Sequence, residues 1–261
     1  MEERIKKLYL PVFNEINKWK LDSQKRIFIV GVNGSQGIGK TTLCSFLVKM
    51  FKENNINAVS ISIDDFYLTR EEQVELSKIG NPYLEERGYP GTHDIKLGEK
   101  ILQELSNLEG EIKIPIYDKS LYDGKGDRLK EENWKIIEAP IDVVLLEGWM
   151  LGFTPKEDIK DIYLNFINQK LSEYNIWYQK IDAFVSLVPE KINYVIDWRV
   201  EAEENMKKSG KPGMTEGEIR QYVNKFIVAY ELYLPSFKPP INGPVLKIKI
   251  GKDRMPNGDK F

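Results

Sequence analysis

The segment Gly34–Thr41 constrains the fold of this chain more than any other segment. Its sequence, GSQGIGKT, fits the phosphate-binding pattern G-x-x-x-x-G-K-[ST]. The apolar run 27–32 precedes this loop and is typical of a buried parallel strand. An apolar stripe at helical spacing follows it. Strand, glycine loop and helix in this order predict backbone N–H groups that surround a triphosphate at a helix N-terminus.

The loop also predicts roles for individual side chains. Lys40 is expected to reach the β- and γ-phosphates during catalysis, and the Thr41 hydroxyl is expected to bind Mg²⁺. We assign the loop and the residue after it to nucleotide binding: Gly34, Ser35, Gln36, Gly37, Ile38, Gly39, Lys40, Thr41 and Thr42.

Further apolar runs alternate with helical patterns along the chain. The strands are predicted at 58–63, 112–116, 141–146, 183–188 and 245–250. Thr69 with Glu72, and Thr215 with Glu218, are capping boxes that predict two helix starts. The first twenty residues carry an amphipathic pattern that Pro11 interrupts. This alternation predicts an α/β fold with a doubly wound, mostly parallel sheet flanked by helices.

Composition limits the possible partners. The 261 residues carry 38 basic and 40 acidic side chains, a balance that argues against a nucleic-acid-binding surface. No stretch is long and apolar enough to span a bilayer, and no signal region precedes the first strand. We therefore expect one domain over 1–261, a cytoplasmic location and no membrane partner. The sequence does not indicate an oligomeric state.

Acidic residues follow the predicted strands, where ligands collect in parallel sheets. Glu147 ends an apolar strand, as a metal-associated carboxylate of a P-loop enzyme does. Asp64 is a candidate base for the proton of an attacking hydroxyl, and its neighbour Asp65 competes for that role. The sequence alone does not separate the two. We expect Thr41, Asp64 and Glu147 to surround the metal.

Two classes of P-loop protein lack support in the sequence. The guanine-reading motif [NT]-K-x-D of GTPases and the L-S-G-G-Q motif of transporter ATPases are both absent. A small-molecule kinase remains, with a non-enzyme, nucleotide-dependent regulatory protein as the alternative. Within the kinases, a nucleoside, a pantothenate-like compound and a sugar are alternative acceptors.

Several motifs together resemble those of the ATP-dependent D-glycerate 3-kinase group of plants and fungi, which includes a related yeast kinase. This group belongs to the superfamily of phosphoribulokinase, uridine kinase and pantothenate kinase. The motif segments are Gly34–Thr41, 62–67, 87–94, 117–120, 124–128, 147–149, 197–199 and 214–215. R-G-Y-P-G-T-H-D and Y-D-K-S are the more specific of them.

The resemblance implies a P-loop kinase fold with a helical lid at about 191–215, and ATP as the nucleotide. It implies that Asp64 activates the acceptor hydroxyl, that Glu147 is the metal-associated acid, and that Arg199 approaches the phosphates from the lid. Acids follow Arg199 here, so Lys207, Lys208 or Lys211 could share its role. The implied acceptor is D-glycerate, a small anion. The candidate acceptor-binding residues are Asp65, Tyr67, Arg87, His93, Tyr117, Lys119 and Arg128.

Overall fold

The computed structural model describes residues 2–107, 109–208 and 215–257. Its strands are, in chain order, β1 Phe28–Gly34, β2 Ala58–Ser62, β3 Glu111–Ile114, β4 Tyr117–Asp118, β5 Asp127–Arg128, β6 Lys135–Glu138, β7 Val143–Gly148, β8 Ala183–Pro189 and β9 Val245–Ile250. Five of them form a central sheet in the order β2-β7-β1-β8-β9, and every neighbouring pair in it is parallel. The predicted parallel sheet is thus confirmed.

Helices cover both faces of this sheet. They are α1 Glu2–Arg4, α2 Leu10–Ser23, α3 Lys40–Glu53, α4 Arg70–Ser77, α5 Ile95–Glu104, α6 Ile162–Lys170, α7 Asn175–Tyr178, α8 Tyr194–Lys208 and α9 Glu216–Tyr233. Every residue of β1 and β7 is buried, as expected for strands that pack on both faces. Within the described ranges, no helix combines the length and the apolar content needed to cross a bilayer.

Both predicted capping boxes are present. Thr69 accepts a hydrogen bond from the backbone N–H of Glu72 at the start of α4, and Thr215 accepts one from that of Glu218 at the start of α9. In each case the glutamate side chain accepts a hydrogen bond from the threonine backbone N–H. These two helix starts therefore coincide with the local capping signals in the sequence.

Two expectations need correction. The strand predicted at 112–116 forms as β3, but it pairs antiparallel with β6 outside the central sheet. Its exposed and buried residues alternate, so only one of its faces is covered. Pro11 does not interrupt the first helical stretch: it lies at the start of α2, directly after a π-helical turn, Ile5–Tyr9. That wider turn accommodates a residue that lacks an N–H.

The register of the sheet brings three strand ends together. Glu147 on β7 lies beside Val32 on β1 and beside Ser62 on β2. The glycine loop leaves the end of β1, and a 3₁₀ turn, Ile63–Phe66, leaves the end of β2. The polar residues that follow these strands consequently share one edge of the sheet.

Candidate active site

The glycine loop joins β1 to α3 in a conformation that requires glycine. Gly37 and Gly39 both have positive φ, at 74° and 105°. A Cβ atom on Gly39 would lie 2.3 Å from the Arg4 guanidinium, so a larger residue there would be strained by the positive φ and would also displace the Arg4 side chain. Lys40 Nζ donates a hydrogen bond to the Ser35 carbonyl at 3.1 Å. Burial lowers the pKa of Lys40, and the nearby carboxylates partly oppose this shift.

Thr41 and Glu147 form the second part of the site. The Thr41 hydroxyl donates a hydrogen bond to Glu147 Oε1 at 2.8 Å, and Glu147 is only 6% exposed. A hydroxyl and a carboxylate beside a phosphate loop are the oxygen ligands that Mg²⁺ takes in nucleotide enzymes. In the described part of the chain, no group of three or more His, Cys, Asp or Glu side chains could hold a metal by itself. Such a site would therefore need phosphate oxygens and water as further ligands.

Asp64 lies in the 3₁₀ turn after β2 and pairs with Lys119. The distance from Lys119 Nζ to Asp64 Oδ2 is 2.5 Å. Burial alone would raise the pKa of Asp64, but the Lys119 ammonium lowers it below its usual value, with smaller contributions from His93 and Tyr67. Asp64 is thus ionised at neutral pH and can accept a proton.

Asp65, the other candidate base, has different neighbours. Its Oδ1 accepts a hydrogen bond from the Tyr117 backbone N–H at 3.2 Å. Burial raises the pKa of Asp65 to about 6, and the adjacent Asp64 carboxylate adds to this effect. Asp65 faces a groove beside β2 rather than the cavity that contains Asp64. The two neighbouring acids therefore face different spaces, a difference that the sequence does not reveal.

A cavity of about 420 Å³ lies over the edge where these strands end. Predicted site residues make up most of its lining: Gln36, Gly37, Lys40, Thr41, Asp64, Tyr67, Arg87, Lys119, Glu147 and Arg199. Elements that are distant in sequence therefore bring the phosphate loop, two carboxylates and several cations to one space. A cavity of this size suits a small ligand beside the end of a polyphosphate.

Four predicted acceptor-binding residues do not line this cavity: Asp65, His93, Tyr117 and Arg128. Tyr67 does line the cavity, and His93, Tyr117 and Arg128 pack behind it. The His93 ring stacks on Tyr67 with 4.4 Å between centroids, and the Tyr117 ring meets Tyr67 edge-on at 5.2 Å. Arg128 donates hydrogen bonds to the Tyr67 carbonyl and to Asp94, both at 3.2 Å. In this structure these residues support the cavity wall.

The two arginines of the cavity differ in their partners. Arg87 donates hydrogen bonds to the carbonyls of Gly124, at 3.0 Å, and Lys125. Arg199, on α8, forms an ion pair with Glu203 at 2.8 Å and lies over the Tyr222 ring. Two other basic residues considered for the lid, Lys207 and Lys208, are exposed at the end of α8 and do not line the cavity. The third, Lys211, lies outside the described residues.

Sequence reasoning missed two groups of residues. Tyr222 and Phe226 line the cavity from α9, and their spacing of four residues on one helix face was the available signal. Arg4 donates to the Ile38 carbonyl at 3.0 Å, and Arg254 donates to the Gly37 carbonyl at 2.8 Å. These arginines contact backbone atoms of the loop from outside any motif, so no pattern in the sequence could identify them.

Comparison with known proteins agrees with this geometry. Residues 29–169 match the profile of the Phosphoribulokinase / Uridine kinase family. The chain is 39% identical over 276 residues to the chloroplastic D-glycerate 3-kinase of Arabidopsis thaliana, covering 97% of this chain and 60% of the plant protein. It is 37% identical over 250 residues to the uncharacterized kinase Mug58 of Schizosaccharomyces pombe, covering 88% and 90%. The chain thus spans about 60% of the length of the plant relative.

A solved structure has the same fold. The D-glycerate 3-kinase of Cryptococcus neoformans var. grubii superposes with a TM-score of 0.87 and 31% identity, covering 97% of this chain and 99% of the fungal one. The resemblance inferred from the motifs is therefore confirmed, and so is the P-loop kinase fold.

Proposed function

The chain belongs to the phosphoribulokinase and uridine kinase family, and we propose that it transfers the γ-phosphoryl group of ATP to a hydroxyl of D-glycerate. One observation carries this proposal: the phosphate loop, Asp64 and the Thr41–Glu147 pair line a single cavity. The similarity to two proteins named D-glycerate 3-kinase supports the acceptor.

The charges around the cavity favour an anionic acceptor. Lys40, Lys119, Arg87 and Arg199 line it, against the carboxylates of Asp64 and Glu147. Asp64 neutralises Lys119, and Glu203 neutralises Arg199. Among the described residues Arg87 forms no ion pair with a carboxylate; it donates hydrogen bonds to two carbonyl groups and lies over the Tyr117 ring. A carboxylate on the acceptor would supply the missing charge in a two-pronged hydrogen bond.

In the proposed reaction, Asp64 orients the acceptor hydroxyl and takes its proton. The hydroxyl oxygen then forms a bond to the γ-phosphorus while the bond to the oxygen of the β-phosphate breaks, and ADP leaves. Lys40 would stabilise the negative charge that develops on the transferred group. Arg199, which lines the cavity from α8, would make a similar contact.

A magnesium ion fits the oxygen atoms present. Thr41 and Glu147 would hold it, and Asp64 lines the same cavity as a third oxygen donor. Bound together with the nucleotide, Mg²⁺ would offset the negative charge of the phosphate oxygens. We further propose that 1–261 acts as one kinase domain in which 191–215 is the lid. Of this segment the structure describes α8 and its flanks, and 209–214 lie outside the described residues.

An ADP-release assay with a panel of acceptors tests the function. D-glycerate is expected to give turnover well above that with uridine, pantothenate, glucose or no acceptor. Lys40→Ala should remove nearly all of this turnover, because the transferred phosphoryl group loses its main cation. Its circular dichroism spectrum and melting temperature provide the control for folding. Nucleotide binding with slow hydrolysis that no acceptor accelerates would instead indicate a regulatory P-loop protein.

A further inference from the structure

The ammonium group of Lys119 is paired with Asp64, the candidate base, and it is more mobile than the Lys119 backbone. Its ammonium lies 2.5 Å from Asp64 Oδ2, while 57% of its side chain is exposed. Its backbone belongs to the connection between the paired strands β4 and β5. The next residue, Ser120, donates its N–H to Asp118 at 2.8 Å. The Lys119 head group can therefore move on its flexible stem while its backbone stays in place.

We propose that Lys119 exchanges partners during the reaction: it holds Asp64 when the acceptor is absent and moves to the carboxylate of the acceptor when a small hydroxy acid binds. This inference rests on the proposed function, since it needs an anionic acceptor. The exchange frees Asp64 Oδ2 for the acceptor hydroxyl. Asp64 is therefore available as a base only when the bound acceptor carries a negative charge.

The exchange is energetically reasonable. Both partners of the present pair are partly exposed, at 57% for Lys119 and 24% for Asp64, so water already weakens their attraction. A carboxylate on the ligand replaces one ion pair with another of the same kind. A neutral alcohol offers no such partner, and Lys119 would then remain on Asp64.

Arg87 supplies the second anchor for the acceptor. It is fixed by the carbonyls of Gly124 and Lys125 in the β4–β5 connection, and its guanidinium lies over the Tyr117 ring at 5.3 Å. Arg87 and Lys119 line the same cavity. The fixed cation would bind the ligand first, and the mobile one would then leave Asp64. Proton transfer from the hydroxyl to Asp64 and phosphoryl transfer from ATP follow, with ADP as the leaving group.

The exchange predicts an unusual effect of removing the lysine. Lys119→Met should raise the KM for D-glycerate by about 10- to 100-fold, the loss of one charge-assisted hydrogen bond. It should leave the KM for ATP within about threefold. For glycerol, which has the hydroxyls without the charge, kcat should stay level or rise, because Asp64 is no longer covered. The preference for D-glycerate over glycerol should therefore shrink.

Matched variants sharpen this test. Lys119→Arg keeps the charge and should retain most of the preference for the acid. Lys130→Met makes the same substitution at an exposed lysine just past β5 and should change neither KM. If Lys119→Met raises the KM values of D-glycerate and glycerol equally, or leaves the preference intact, the exchange is refuted.

A crystal structure of the wild-type enzyme with D-glycerate and a non-hydrolysable ATP analogue gives an independent answer. Lys119 Nζ is expected within hydrogen-bond distance of the acceptor carboxylate and away from Asp64. An ammonium that still binds Asp64 in that complex would overturn the inference while leaving the proposed function standing. Absence of any phosphoryl transfer to D-glycerate by wild-type enzyme would instead overturn the proposed function, and the exchange with it.

Discussion

Tyr67 shows how single residues of the motifs act on the site. Its ring faces the cavity, and three predicted acceptor-binding residues contact it from behind: His93, Tyr117 and Arg128. The sequence identified all of these residues but could not tell which of them reach a ligand. That distinction depends on side-chain packing between segments that are far apart in the chain. We infer that the three act on the acceptor through the position of Tyr67.

His93 provides a prediction about pH, and it is the only histidine in the chain. The Tyr174 hydroxyl and His93 Nδ1 are hydrogen-bonded at 2.6 Å. The Nε2 atom is buried and has no hydrogen-bond partner among the described residues. Burial lowers the pKa of His93 to about 4, and the charge of Asp64 only partly opposes this. The imidazole should therefore stay neutral at physiological pH.

The low pKa of His93 predicts that the folded chain becomes less stable as the pH falls. The pKa of His93 is about 4 in the folded chain and 6.5 for an unperturbed histidine. Between these values the unfolded chain binds more protons, so the free energy of unfolding should fall as pH drops from 6.5 to 4. The slope is at most about 1.4 kcal/mol per pH unit. Denaturation in magnesium-free buffer, compared with His93→Phe, should show this extra slope in the wild type alone. An NMR titration of the single imidazole near pH 6.5 would contradict the prediction.

At the scale of elements, helix starts and central strands were predictable because their signals are local. Capping boxes define the start of α4 and α9, and continuous apolar runs define β1 and β7. The partner of β3 was not predictable. Its pairing with β6 joins segments across the β4–β5 connection, and the sequence of β6, K-I-I-E, is too short to mark a strand.

The end of β7 sets the position of the turn that carries Asp64. A Cβ atom on Gly148 would lie 2.4 Å from Ile63 Cδ1 and 2.6 Å from Cγ1, and Ile63 is fully buried. Gly148→Ala should therefore push Ile63 and its 3₁₀ turn away from β7. We expect kcat to fall at least tenfold, and the free energy of unfolding to fall by about 1–3 kcal/mol through overpacking.

Two variants test this steric explanation. Ile63→Ala removes both the Cδ1 and the Cγ1 atoms, so the double variant Gly148→Ala/Ile63→Ala should recover part of the lost kcat. Gly217→Ala adds the same methyl group on α9 where nothing lies within 4 Å, and activity should not change. If the double variant is no more active than Gly148→Ala alone, the contact with Ile63 does not position the turn.

At the scale of the whole molecule, the site depends on segments far from every motif. Arg4, the last residue of α1, and Arg254, after β9, donate hydrogen bonds to the carbonyls of Ile38 and Gly37, which are consecutive in the phosphate loop. Arg254 also pairs with Glu201 on α8 at 2.6 Å. The loop is thus held by side chains from both ends of the described chain, and one of them connects it to the helix that carries Arg199.

These contacts give the last prediction. Arg4→Met and Arg254→Met should each raise the KM for ATP roughly 3- to 10-fold, as expected when about 1 kcal/mol of hydrogen bonding no longer holds the loop. The KM for D-glycerate should change little, since neither arginine lines the cavity. Arg4 and Arg254 hold adjacent residues of one loop, so their effects on the KM for ATP should not be additive in the double variant. Lys247→Met, at an exposed position on β9, is the matched control. Steady-state kinetics with either substrate varied decides the question: an equal rise in both KM values would mean that the arginines stabilise the fold as a whole rather than the loop.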